Sequence, residues 1–141
     1  MALTAARYLV DKSALSRLGD PAVGARLRPM LVRGDLAICG TAALEVLYSA
    51  RSAADHAATL EELGGLARAP IDDAVIDRAI EVQSALARLG QHRGASLPDL
   101  LLAAAAEGAA LAVLHYDSDF DRIAGVTGQP CEWVVPRGTV D

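Results

Sequence analysis

Tyr8-Leu9-Val10-Asp11-Lys12-Ser13-Ala14-Leu15 is a short apolar run that ends abruptly in a carboxylate and turns at once into a helical pattern. Three apolar residues are too few for a helix and suit a buried strand. In an open α/β sheet, ligands and chemistry sit just beyond the carboxyl ends of the strands. Asp11 is therefore expected at the lip of such a crevice. Its alternative duty is local, because Asp is a favoured N-cap for the helix that follows.

Working outward, strand and helix signals alternate. A strand over 7–10 precedes a short helix over 12–18, and Asp20-Pro21 restarts a helix with Pro at its first position. There Val23, Leu27, Met30 and Leu31 line one face, up to Gly34. A strand over 36–39 and a turn at Gly40-Thr41 lead to a helix over 42–50. Ser52 and Asp55 form a capping-box pattern ahead of a helix over 53–63. An extended link over 68–71 leads to a long helix capped by Asp72. A loop over 90–95 opens the helix that starts Ser96-Leu97-Pro98-Asp99, again with capping-box spacing, and continues into four alanines. A strand over 110–116 ends in Asp117-Ser118-Asp119-Phe120-Asp121, followed by a helix over 119–124, a loop over 125–130 and a last strand over 132–135. This order predicts an α/β fold, a three-layer α/β/α sandwich around a mainly parallel sheet, in a single domain spanning 1–141. The alanine run predicts a helix lying close against that sheet.

Composition narrows the function. The chain is 52% hydrophobic but only 4% aromatic, so its core is aliphatic. No stretch reaches the roughly 18 apolar residues of a membrane span, and no basic-then-apolar leader opens the sequence. Cys39 and Cys131 lie in apolar strand-like segments and read as reduced core residues of a cytoplasmic protein. A net charge of −5 argues against nucleic acid unless the acids gather around divalent cations, which reverses the local sign. Lys12 is the single lysine among 13 basic residues, and the rest are arginines, suited to bidentate phosphate contact. A GC-rich coding sequence produces the same excess.

Four carboxylates share one placement. Asp11 and Asp117 follow strands, while Glu45 and Asp99 lie early in helices on the same side. Glu45 interrupts Leu44-Glu45-Val46-Leu47-Tyr48, where a solvent-facing position is the simpler explanation. Asp99 is equally explained as a capping residue. Gathered together, however, four carboxylates cannot all stay ionised without a cation. An oxygen-only ligand set suits Mg²⁺ or Mn²⁺. Such a site activates water and supports in-line phosphoryl displacement.

The first stretch, an isolated Glu45 in an apolar helix, Ser96-Leu97-Pro98-Asp99-Leu100-Leu101-Leu102-Ala103-Ala104 and Asp117-Ser118-Asp119-Phe120 together resemble the PIN-domain family. In size and order they resemble its VapC-type ribonuclease toxins. That resemblance covers the whole chain. It implies Mg²⁺-dependent cleavage of RNA, commonly transfer RNA or another structured RNA, with Mn²⁺ able to substitute. It also implies neutralisation by a VapB-type antitoxin and favours a homodimer. Carried onto this sequence, the catalytic quartet is Asp11, Glu45, Asp99 and Asp117, with Asp11, Asp99 and Asp117 on the metal. Ser13 becomes a hydroxyl bonding within the site and Asp119 an auxiliary acid. Arg17 and Arg93 are candidates for RNA phosphates. His115 departs from the family, where Thr is common two residues before the fourth acid, and reads as a space-filling residue. A non-catalytic PIN-like binding module is the first alternative. A receiver-type phosphoacceptor domain is the second, and the chain lacks both the paired acids after the first strand and the lysine near its end that such a domain wants.

Overall fold

In the computed structural model, which describes residues 3–141, a 3-10 turn (Leu3–Ala5) precedes five strands and seven helices. The strands are β1 (Tyr8–Val10), β2 (Leu36–Cys39), β3 (Ala67–Ala69), β4 (Ala112–His115) and β5 (Cys131–Trp133). The helices are α1 (Lys12–Leu15), α2 (Pro21–Arg33), α3 (Gly40–Tyr48), α4 (Ala53–Leu63), α5 (Asp73–Arg88), α6 (Leu97–Gly108) and α7 (Asp119–Thr127). The strands form one sheet in the order β3-β2-β1-β4-β5, and every pairing is parallel. The chain walks outward from β1 through β2 to β3, then returns to lay β4 and β5 on the other side. The strand order therefore reverses between β1 and β4, and a crevice is expected at the carboxyl ends of those two strands.

Alternation along the central strands separates two cores, as a period of two requires. Leu9 and Val113 join the larger one, with Ala79, Val82 and Leu86 of α5, the alanines of α6, and Phe120 and Ile123 of α7. Val10 and Leu114 face the other way, onto Ala14 of α1 and Val23, Leu27 and Met30 of α2. The result is the expected three-layer sandwich. Ala103, Ala104, Ala105 and Ala106 are all buried, and α6 lies against both β1 and β4. Small side chains permit that close approach and carry Asp99, at the start of α6, toward the crevice.

Several boundaries differ from the sequence reading for local reasons. Helix α1 closes at Leu15, because Arg17 and Leu18 bond to carbonyls three residues back and tighten the chain into turns. Gly40 is the first residue of α3, not a turn preceding it. Helix α7 continues through Gly125 to Thr127 and stops at Gly128, whose φ of 70° is left-handed. A mid-helix glycine costs only about 1 kcal/mol, and packing Val126, the next residue, against the larger core offsets it. The last strand begins one residue early and ends at Trp133. No helix among the described residues is long and apolar enough to cross a membrane.

Candidate active site

The β1–β4 pairing brings the first acids together. Val10 pairs with Leu114, and the Asp11 N–H donates to the Leu114 carbonyl at 2.9 Å, so the chain leaves β1 alongside the end of β4. The Asp11 carboxylate does cap α1, with Oδ2 accepting from the Ser13 N–H at 3.0 Å. Capping and burial are not alternatives here: Asp11 is only 2% exposed. Burial raises its carboxyl above the usual range; hydrogen bonding to Ser13 opposes this, and the charges of Glu45 and Asp117 add to it. The Ser13 hydroxyl also accepts from the Tyr116 N–H at 2.8 Å, tying the residue after β4 to the start of α1.

Asp99 shows how one local motif yields two outcomes. In the first capping box, the Asp55 N–H donates to Ser52 Oγ, and the Asp55 carboxylate turns back to accept from the Arg51 N–H. In the second, the Asp99 N–H donates to Ser96 Oγ at 3.3 Å, but the Ser96 N–H donates to Asp119 Oδ2 at 3.2 Å. Asp119 thus does the reciprocal capping, and the Asp99 carboxylate is left to face the crevice. Asp99 is 6% exposed, and its carboxyl is pushed up to about 8. Burial is the largest cause; the charge of Asp11, a hydrogen bond with Asp119 and the charge of Asp117 follow.

The three acids that follow β4 divide their work. Asp117 Oδ1 accepts from the Asp119 N–H at 2.9 Å and caps α7, while Ser118, at the N-cap position, makes no such bond. Asp121 turns away and accepts from Trp133 Nε1 at 3.1 Å. Carboxylate oxygens of Asp99, Asp117 and Asp119 all lie within 4.8 Å of one another. Asp119, expected as an auxiliary acid, stands inside this tight triplet, and Asp11 stands beside it.

Glu45 comes to the same end of the sheet and pairs with Lys12 Nζ at 3.2 Å. Lys12 had no assigned role in the sequence reading, although a lone lysine directly after Asp11 was a visible signal. Among the described residues, Asp11, Asp99 and Asp117 have no basic partner. Buried carboxylates repelling one another without a counter-charge, all offering oxygen, fit a hard divalent cation.

His115 is fully buried, with its ring 4.9 Å from that of Phe120 and 5.0 Å from that of Trp133. Its Nδ1 accepts from the Asp117 N–H at 3.1 Å, and burial lowers its pKa to about 4. It is a neutral packing residue that also steadies the turn bearing Asp117. Arg17 is already engaged: it donates to the main-chain oxygens of Ser13 and Asp141, and its guanidinium lies 4.7 Å from the centre of the Tyr116 ring. The Tyr116 hydroxyl donates to the Val140 carbonyl and accepts from the Gly138 and Val140 N–H groups. Arg17 is thus a clasp for the last residues, not a free cation at the crevice. Arg93 is exposed and has no ion-pair partner among the described residues.

The PIN domain family model matches residues 8–126. Ribonuclease VapC21 of Mycobacterium tuberculosis is 49% identical over 138 residues, covering 94% of this chain and 97% of its own length. Ribonuclease VapC18 of the same organism is 44% identical over 135 residues, covering 94% and 98%. Among solved structures, DNA-bound VapBC from Salmonella typhimurium matches with a TM-score of 0.73 at 19% identity, over 92% of this chain and 99% of that one. VapBC-5 from M. tuberculosis matches with a TM-score of 0.67 at 24% identity, over 92% and 98%. These structural likenesses speak to the fold, and the closer sequence relatives to the branch. The chain belongs to the PIN-domain family and, within it, to the VapC ribonucleases.

Proposed function

We propose that this chain is a divalent-cation-dependent endoribonuclease toxin, a single domain acting in the cytoplasm on structured RNA such as transfer RNA. The supporting observation is the convergence of Asp11, Asp99, Asp117 and Asp119 at the strand-order reversal, buried or half-buried and largely without basic partners. Asp99, Asp117 and Asp119 would hold the cation, with Asp11 beside them; Mg²⁺ is the natural choice for carboxylate oxygens, and Mn²⁺ a substitute. When bound, such a cation supplies the positive charge that activates water at neutral pH and offsets charge building on the phosphoryl oxygens.

The protein's own groups do the rest. Asp11 Oδ2 is held by the Ser13 N–H, which leaves Oδ1 to accept a proton from the attacking water. The water oxygen bonds to phosphorus as the bond from phosphorus to the 3′ oxygen breaks, and the 3′ oxygen leaves with that electron pair and takes a proton from solvent. The Ser13–Tyr116 bond keeps the ends of β1 and β4 in register around that reaction, and the Lys12–Glu45 pair ties α1 to α3 beside them. The rival route uses the RNA 2′-hydroxyl and needs an acid–base pair, usually histidines. His115 is buried and neutral, and His56 is exposed on α4, which buries none of its residues; that leaves His92, exposed in the loop before α6, a single imidazole where the route needs a pair. End-group analysis separates the routes. The products are expected to carry 5′-phosphate and 3′-hydroxyl ends, and chelator is expected to abolish cleavage. Cleavage that persists in chelator and leaves 2′,3′-cyclic phosphate would overturn the hydrolytic mechanism.

The solved structures that share this fold include VapBC toxin–antitoxin complexes. We infer a VapB-type antitoxin for this chain, and a homodimer as the toxin's own state. An acidic crevice attracts an arginine, so the antitoxin tail is expected to present one to the carboxylates. Removing that tail should weaken inhibition strongly while leaving the rest of the complex intact. Equal inhibition by complete and truncated antitoxin would show that the crevice is not where inhibition acts.

A further inference from the structure

An acidic site in a chain of net charge −5 must still admit a polyanion, so the positive charge nearest that site matters. Four arginines are engaged away from the crevice: Arg26 with Glu132, Arg33 with Asp35, Arg78 with Glu81 and Glu107, and Arg17 with Asp141. One cleft differs. It is lined by Gly90, Gln91, His92, Arg93, Gly94 and Arg122, with two guanidinium groups, an imidazole and no carboxylate.

This cleft borders the carboxylate triplet directly. Arg122 Nη1 donates to the Gly94 carbonyl and lies 3.9 Å from Asp119 Oδ1. Asp119 in turn accepts from the Ser96 N–H, so one residue of the triplet fastens both the loop before α6 and the arginine that crosses it. Glycine at 94 leaves room for the crossing, since a Cβ there would sit 2.6 Å from Arg122 Cδ and push that side chain aside. Arg122 is thereby held at the rim with much of its guanidinium open, and Arg93 projects from the same loop. Arginine's planar fork suits a phosphate, and the loop presents two of them together.

We propose that His92, Arg93 and Arg122 form a binding subsite for a backbone phosphate of the RNA strand, next to the phosphate that is cleaved. The proposal rests on the ribonuclease reading and gives the strand a direction of exit, over the 90–94 loop. Arg122, which sequence reasoning passed over, is its central residue.

The test is the salt dependence of RNA binding, measured by anisotropy with a fluorescein-labelled single-stranded oligoribonucleotide. An Asp99→Asn background keeps the RNA intact. Taking one arginine away from a phosphate of single-stranded RNA should flatten the slope of log K against log salt by about 0.7. Arg93→Gln and Arg122→Gln are each expected to show that change and weaker binding. Arg33→Gln, which removes a charge paired with Asp35 at the far end of the sheet, is expected to show neither. Arg93 makes no ion pair among the described residues, so its substitution tests the subsite without loosening the loop. A slope equal to the Arg33→Gln control in either variant overturns the subsite, including the case where only antitoxin affinity falls. An unsubstituted protein that neither binds nor cuts this oligoribonucleotide or transfer RNA would overturn the ribonuclease reading itself.

Discussion

Asp99→Asn is expected to lower RNA turnover by roughly a hundredfold or more, the scale on which losing preorganised charge at a phosphoryl or acyl centre acts. The substitution keeps the shape and the Ser96 cap, because that cap uses the main-chain N–H of residue 99. What disappears is one of three carboxylates whose oxygens approach within 4.8 Å. Asp117→Asn and Asp119→Asn should follow the same course, with Asp119→Asn also loosening the Ser96 end of α6. Asp121→Asn supplies the contrast. It lies in the same run of acids but bonds Trp133, so its turnover should stay near the wild-type value. Helical circular dichroism and RNA binding should change little in Asp99→Asn, which separates lost chemistry from lost fold. An Asp99→Asn protein that cuts RNA within a few-fold of wild type would remove the triplet from the reaction.

The layer architecture and parallel sheet were readable because the signals were periodic and local. Leu9 and Val10 alternate between two cores, and Asp20-Pro21 opens α2 as its sequence demands, with Asp20 accepting from the Ala22 and Val23 N–H groups. Helix ends were harder, since Gly125 looks like a stop in sequence and becomes one only if nothing downstream is worth burying. Within the site, Asp11, Glu45, Asp99 and Asp117 could be picked out by their recurrence beyond strands. Asp119 could be read as an auxiliary acid, but neither its cap on Ser96 nor the place of Arg122 beside it could be read. Asp119 matters because it completes a cap 23 residues away, and Arg122 because Gly94 leaves it room. Both facts belong to tertiary geometry, which no spacing in the chain records. Arg17 meets the same limit, its bonding partner Asp141 lying 124 residues away.

Without divalent cation, this protein is expected to lose stability as pH rises, and Asp99 carries most of that dependence. Its carboxyl is pushed from an ordinary 3.8 to about 8 in the folded chain, first by burial and then by the charge of Asp11. Between those values the folded protein keeps a proton that the unfolded chain has released. The unfolded state therefore binds fewer protons, and stability falls with pH across that window. The contribution is fully present below about pH 4 and gone above the folded value. Asp11 is shifted in the same direction and adds to the slope. Asp99→Asn cannot ionise, so in chelator it should match wild type near pH 4 and exceed it at pH 9, by about 5 °C or more in Tm. Divalent cation should invert the order. Bound only by the folded state, it stabilises wild type in proportion to its occupancy, and protons compete with it less at high pH. The variant has lost a ligand and should respond weakly. Thermal unfolding of both proteins at pH 4 and pH 9, with chelator and with Mg²⁺, contains every comparison needed. A wild-type Tm in chelator that tracks the variant at both pH values would show that Asp99 is not held protonated by its surroundings. The charge repulsion argued for this crevice would fall with it.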